Sequence, residues 1–283
     1  MRRPCAIDLR RTIAALALGA LCLWAVASHA ASPRRIVSLA PSLTELTYAA
    51  GAGDLLVAAS AFSDFPAPAR KLPQVSDANG IHWERLIALQ PDLVLVWESG
   101  TRPQDVQRLH DLKIPSLTLT VRKLADVPHA MERIGAAVGR AETARGRAAQ
   151  VRAQLANVKP APPGAAPVRV FIEISALPLM TVNGEHVLSE IVTRCGGANV
   201  FADAPTLVAE PSREALLARA PQVLLRPRQG AGSNWPDYLP RNDATLVRAF
   251  TPDWAFRPGP RLLDALQEVC AALDGTRTQP NRK

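Results

Sequence analysis

The chain has 283 residues, of which 48% are hydrophobic, only 5% aromatic and 20% charged, with a formal net charge of +8 at pH 7. That length can bury one large core or two of ordinary size. The basic bias is spread along the chain, with no Lys/Arg cluster interleaved with aromatic residues, which excludes a nucleic-acid-binding groove.

Residues 1–30 place Arg2, Arg3, Arg10 and Arg11 ahead of an apolar run from Ile13 to Ala27 that ends in small residues. This pattern fits a secretory signal peptide cut before Ala31, after Ser28-His29-Ala30, because the run is short for a membrane span. An uncleaved N-terminal anchor is the other reading of the same run. Cleavage would remove four Arg and one Asp, lowering the formal charge from +8 to +5. It would also remove Cys5 and Cys22 and leave Cys195 and Cys270 in a compartment that permits disulfides. The two are expected to be joined, the alternative being a pair of buried thiols. His82, His110, His129 and His186 are far apart in sequence and no CxxC occurs, so neither a metal site nor a bound cofactor is expected.

From Arg35 the chain alternates short β-rich runs, "RIVSLA", "LLVAAS", "DLVLVW" and "PSLTLTV", with helical stretches near 43–51, 83–90 and 103–112. Such alternation predicts an α/β lobe, residues 34–122, built on a parallel sheet. Residues 129–158 lack proline and carry Met131, Ile134, Val138, Ala141, Ala144, Ala148, Val151 and Leu155 at steps of three and four. The spacing predicts one long amphipathic helix, a linker over 123–159, ended by Pro160 and "KPAPPGAAP". A second α/β lobe follows over 160–275, with strands at "VRVFIEI", "QVLLRP" and "ATLVRAF". Its helices are expected at Glu185–Arg194, in "SREALLARA" opened by Ser212, and from Pro260 to about Leu273. Residues 276–283 read as a tail. Two lobes joined by one long α-helix leave a cleft suited to a ligand and allow only small closure.

GxSxG, HExxH, a Walker loop and GxGxxG are all missing from the sequence, so nothing singles out an enzyme. What stands out is a set of polar and aromatic residues at the ends of predicted strands, where an α/β sheet faces a crevice. Ser42 follows the first strand, Phe62 the second, Trp97 ends the third, and the corner "TPDWAFRPGPR" with Asp253 and Arg257 follows the last. Packing of Trp97 and Trp254 in a core, and a local Asp253–Arg257 ion pair, are the plain alternatives.

The stretches "RRIVSLAPSLTELTYAAGAGDLLVAASAFSDFPAPARKLPQVSDANGIHWERLIALQPDLVLVW", "TRCGGANVF", "PSREALLARAPQVLL" and "TPDWAFRPGPRLLDALQEVC" together resemble a known family. It is that of the periplasmic binding proteins of ferric-siderophore, haem and vitamin B12 ABC importers. The likeness is greatest to its cobalamin-binding branch. The resemblance implies two α/β lobes on a helical backbone, a periplasmic location, no enzymatic activity and a corrinoid as transported ligand. A haem or ferric-siderophore carrier is the alternative within the family, and a cleft enzyme the alternative outside it. It sets Ser42, Phe62, Trp97, Asp253 and Arg257 against the ligand, Phe62 standing where the branch has a tyrosine. Met180 and Val208 stand where a phenylalanine and a tryptophan are expected, which thins the aromatic wall of the second lobe and leaves cobinamide or a haem-like macrocycle open. Of the basic groups an anionic siderophore complex would need, only Arg257 and either Arg226 or Arg228 are at hand. The resemblance further implies that Glu84 in "HWERLIAL" and Glu214 in "PSREALL" dock onto arginines of the importer's membrane subunits. Stabilisation of a helix N-terminus would also place a carboxylate at either position. A monomer is expected.

Overall fold

The computed structural model describes residues 32–158, 164, 166–228, 245–251 and 257–277. The expected signal segment 1–30, Asp253 and Trp254 lie outside these residues. In the first lobe, strands β1 (Ile36–Ser38), β2 (Leu56–Ser60), β3 (Gln74–Asp77), β4 (Gly80–Ile81), β5 (Leu93–Trp97) and β6 (Ser116–Leu119) form one sheet. Its order is β4-β3-β2-β1-β5-β6, parallel throughout except for the β3–β4 hairpin. The runs "IVS" and "LVLVW" are apolar without alternation because both faces of β1 and β5 are covered, as a parallel sheet requires. Helix α1 (Pro41–Ala49) covers one face; α2 (Trp83–Ala88) and α3 (Pro103–Asp111) cover the other. Both α1 and α3 open on a proline, whose missing N–H costs nothing in the first turn.

The stretch expected to be one long helix is two. Helix α4 (Asp126–Ala137) ends at Val138, and α5 (Ala141–Ala156) starts three residues later. Gly139, at φ 73°, supplies the left-handed turn between them. The two fold back on each other. Glu132 on α4 forms a bidentate pair with Arg152 on α5, both contacts 2.7 Å, although a straight helix would hold residues so spaced about 30 Å apart. Gly135 permits the close approach, since a Cβ there would lie 2.2 Å from that of Ala144.

Strands β7 (Val168–Ile172), β8 (Ser175–Ala176), β9 (Leu179–Val182), β10 (Gly197–Asn199), β11 (Val208–Ala209), β12 (Val223–Pro227) and β13 (Leu246–Phe250) build the second lobe. Four of them make a parallel sheet in the order β10-β7-β12-β13, and the other three a small antiparallel sheet, β11-β9-β8. The second lobe therefore repeats the architecture of the first only in part. The antiparallel strands are too short to carry a sequence period. Helices α6 (Val187–Arg194), α7 (Arg213–Ala218) and α8 (Leu262–Arg277) complete the lobe, and Ser212 caps α7 as expected by accepting from the Ala215 N–H at 3.1 Å.

Cys195, at the end of α6, is bonded to Cys270 in α8, as expected from their compartment. Helix α8 runs on to Arg277, past the point where the sequence was read as tail. That arginine donates to the carbonyls of Cys195 and Gly196, both at 2.9 Å. One apolar core is continuous from Ile36 and Leu43 through Ile134, Ala144 and Leu155 to Val192 and Leu266, so the helical hairpin packs against both lobes.

Candidate functional site

A parallel sheet offers a crevice at the carboxyl ends of its strands, where successive connections leave to opposite sides. That switch lies between β1 and β5 in the first lobe and between β7 and β12 in the second. Three of the expected ligand residues lie at the first of these edges. Phe62, just after β2, is 72% exposed and holds a left-handed backbone at φ 61°, which a bulky side chain rarely adopts. The turn is anchored from below by buried hydroxyls. Thr44 Oγ1 lies 2.9 Å from Ser38 Oγ and 3.1 Å from Ser63 Oγ, which in turn lies 3.1 Å from Ser60 Oγ. Trp97 closes β5 half-buried, its indole against Gly100, where a Cβ would come within 3.1 Å of Cδ1. Ser42 is in the first turn of α1 and only 4% exposed, so its hydroxyl is nearly covered rather than open to the crevice.

Arg257, beyond β13, reaches the same place. Arg257 donates to Asp64 Oδ1 at 2.5 Å, on the turn that carries Phe62. Burial works against the charge on Asp64, but its hydrogen bond and attraction to Arg257 prevail and hold its pKa below the usual carboxylate range. Four residues on, Arg261 makes a bidentate pair with Glu45 of α1, at 2.6 and 2.9 Å, and its guanidinium lies 4.7 Å from the centre of the Phe65 ring. Glu45 is 3% exposed, so this pair is largely withdrawn from water. Glu45, Asp64 and Arg261 are charged positions at this edge that sequence reasoning did not single out. Partners 193 and 216 residues apart leave no local spacing to detect.

Three apolar side chains of the second lobe sit on or beside its small antiparallel sheet. Met180 lies half-buried on β9, Val208 is 40% exposed on the adjacent β11, and Leu177, at the tip between β8 and β9, is 94% exposed. Arg226 and Arg228, the extra bases an anionic complex would draw on, each face a carboxylate at 3.1 Å. The first of these pairs, with Glu173, is buried between the ends of β7 and β12.

Glu84 and Glu214 occupy matching positions. Each is exposed in the first turn of a six-residue helix, α2 or α7, and each precedes by two residues a leucine, Leu86 or Leu216, that is 0% exposed. The pKa of Glu214 is lowered by its own backbone N–H and by the Ser212 hydroxyl. Among the described residues no three His, Cys, Asp or Glu side chains gather into a group that could hold a metal ion. Nor, among them, is any helix long and apolar enough to cross a membrane.

Comparison with known proteins agrees with this architecture. A family model for the periplasmic binding proteins matches residues 36–244. The chain is 37% identical over 250 residues to a vitamin B12-binding protein of Pectobacterium carotovorum subsp. carotovorum (strain PC1), covering 86% of this chain and 89% of that one. Among solved structures it is similar to the periplasmic vitamin B12 binding protein BtuF of Vibrio cholerae, with a TM-score of 0.77 and 31% identity over 88% of this chain and 99% of that one. The periplasmic heme-binding protein RhuT from Roseiflexus sp. RS-1 gives a TM-score of 0.71 at 22% identity, over 86% and 98% of the two chains, a likeness of fold alone. With two α/β lobes, a crevice at their strand ends and a family match over most of its length, this chain belongs to the periplasmic binding protein family.

Proposed function

We propose that the protein captures a corrinoid, cobalamin foremost, in the crevice between its lobes and delivers it to the membrane subunits of an ABC importer. Residues 1–30 direct it to the periplasm, residues 34–122 and 160–275 form the two lobes, and it works as a monomer without covalent chemistry. The observation that carries the ligand class is the Phe62 ring, held exposed at the sheet edge by a strained, hydroxyl-anchored turn and joined through Asp64 to Arg257 of the other lobe. A corrinoid is a broad, mostly apolar macrocycle edged with amides. Phe62 and Trp97 supply wide apolar contact with little rotamer entropy to lose, while Arg257 and Asp253 offer a donor and an acceptor to its rim. Ser42, nearly covered in the first turn of α1, adds at most a small contact. The pairing of Arg226 and Arg228 with carboxylates disfavours an anionic ferric siderophore. Glu84 and Glu214 are the docking carboxylates, one per lobe.

Calorimetric titration of the purified, ligand-free protein with cyanocobalamin, cobinamide, haemin and a ferric siderophore tests this reading. The expected result is tight binding of the corrinoids and weaker or no binding of the others. Heat from haemin alone would shift the assignment to a haem carrier.

A further inference from the structure

A hollow of about 160 Å³ lies at the same edge of the first sheet, sharing Gly100 with the surroundings of Trp97. Its walls are the β3–β4 hairpin, Asp77 to Ile81, and the turn from Gly100 to Arg102 with Asp105 in the first turn of α3, with Leu39 at the end of β1 between them. Three features set it apart from a surface dent. Ser76 is buried at its lining, and its Oγ makes no hydrogen bond. Such an orphan hydroxyl is uncommon and requires a partner or a reason. Gly80, at φ 126°, gives Arg102 room across the hairpin, for a Cβ there would lie 2.8 Å from Arg102 Nη2. Both signs of charge are present and held in place, with Arg102 against Asp105 at 2.7 and 3.3 Å and Asp77 lying 3.3 Å from His82 Nε2.

We infer that this hollow is a subsite for a neutral carboxamide side arm of the ligand, an inference that rests on the corrinoid reading above. An anion entering it would meet two carboxylates and a cation would meet a guanidinium. A group with both a donor and an acceptor and no net charge satisfies both signs at once. The amide NH2 donates to Asp77 and Asn79, the amide oxygen accepts from Arg102, and the Ser76 hydroxyl lies within the same lining. At about 30 Å³ for each water-sized unit, the hollow takes an arm of about five heavy atoms, the size of a propionamide. Gly100 forms part of its wall and also packs on the Trp97 indole, so an arm leaving a macrocycle that covers Trp97 arrives at its mouth.

The test compares two corrinoids, cobinamide with carboxamide arms and cobyrinic acid heptamethyl ester with ester arms, against wild type, Asp77→Asn and Arg102→Met. Wild type is expected to prefer the amide-armed compound. Each variant should lose roughly tenfold in affinity for it, the worth of one charge-assisted hydrogen bond; Asp77→Asn should bind the ester-armed compound, which has no N–H to donate, unchanged, whereas Arg102→Met should weaken both, since either carbonyl accepts from the guanidinium. Thermal melts establish that the variants are folded, and Asp77→Asn, on the exposed hairpin, carries the test if Arg102→Met does not fold. Equal losses of Asp77→Asn for both compounds, or no loss of either variant for the amide-armed one, would overturn the subsite. Wild type that binds both corrinoids equally would also overturn it and leave the proposed function standing. Wild type that binds neither would bring down both.

Discussion

Gly135→Ala separates a hairpin from a continuous helix by the sign of its effect. In an ordinary helix interior this change stabilises by about 1 kcal/mol, because alanine loses less backbone entropy than glycine. Here the new methyl would lie 2.2 Å from Ala144 Cβ and 3.1 Å from the Arg140 carbonyl oxygen, so α4 and α5 must move apart by more than an ångström. Both obstacles sit on or next to the main chain and cannot swing aside. Overpacking of this kind costs about 3 kcal/mol at the upper end of its usual range, which leaves a net loss of about 2 kcal/mol. Gly146→Ala on α5 is the matched control, since nothing lies within 4 Å of a Cβ there, and it should stabilise by up to about 1 kcal/mol. Urea unfolding of the oxidised protein, followed by far-ultraviolet circular dichroism, measures both. If the two substitutions stabilise alike, α4 and α5 do not pack as described.

Replacing both Cys195 and Cys270 with alanine opens a loop of 75 residues and should cost about 4.5 kcal/mol in the chain-entropy picture; equal urea midpoints with and without the bond would contradict it. His186, whose Nδ1 accepts from the Leu188 N–H at the start of α6, has its pKa pushed down by burial from 6.5 to about 4. The folded state therefore keeps the ring neutral while the unfolded chain protonates, so its contribution is full above pH 6.5, declines as pH falls and is gone near pH 4, about 3 kcal/mol in all. His186→Asn keeps a capping acceptor and should flatten that slope in urea titrations between pH 7 and pH 4.5. The double substitution Glu84→Ala with Glu214→Ala should leave cyanocobalamin affinity intact and abolish uptake in cells; normal import would refute the docking role.

The α/β class was legible because strands covered on both faces leave uninterrupted apolar runs such as "LVLVW", and "PSREALL" carries its own cap in Ser212. The hairpin was obscured because Ile134, Val138, Ala141 and Ala144 keep helical spacing across the break, each helix turning its own apolar side to the same core. The available signal was Gly139, one residue past the capping Val138 of α4, where a glycine commonly terminates a helix. Arg257 stands out in the sequence beside Asp253 and Trp254, but its partner Asp64 and the Glu45–Arg261 pair are created by the meeting of the lobes. Such contacts have no signature in a single chain read from end to end.

Helix α5 is fastened at its start, where Arg140 reaches Asp54 at 2.7 Å and Arg147 reaches the Tyr48 carbonyl at 3.0 Å, and at its end, where Arg194 donates to the Leu155 carbonyl at 3.3 Å. On the proposed docking reading, the span between Glu84 and Glu214 is then nearly a constant of the molecule, with or without cargo. An importer gripping both acids would meet the same handle on vacant and laden carriers alike. Vacant copies would queue at the gate beside laden ones, and import should slow when the carrier outnumbers its vitamin.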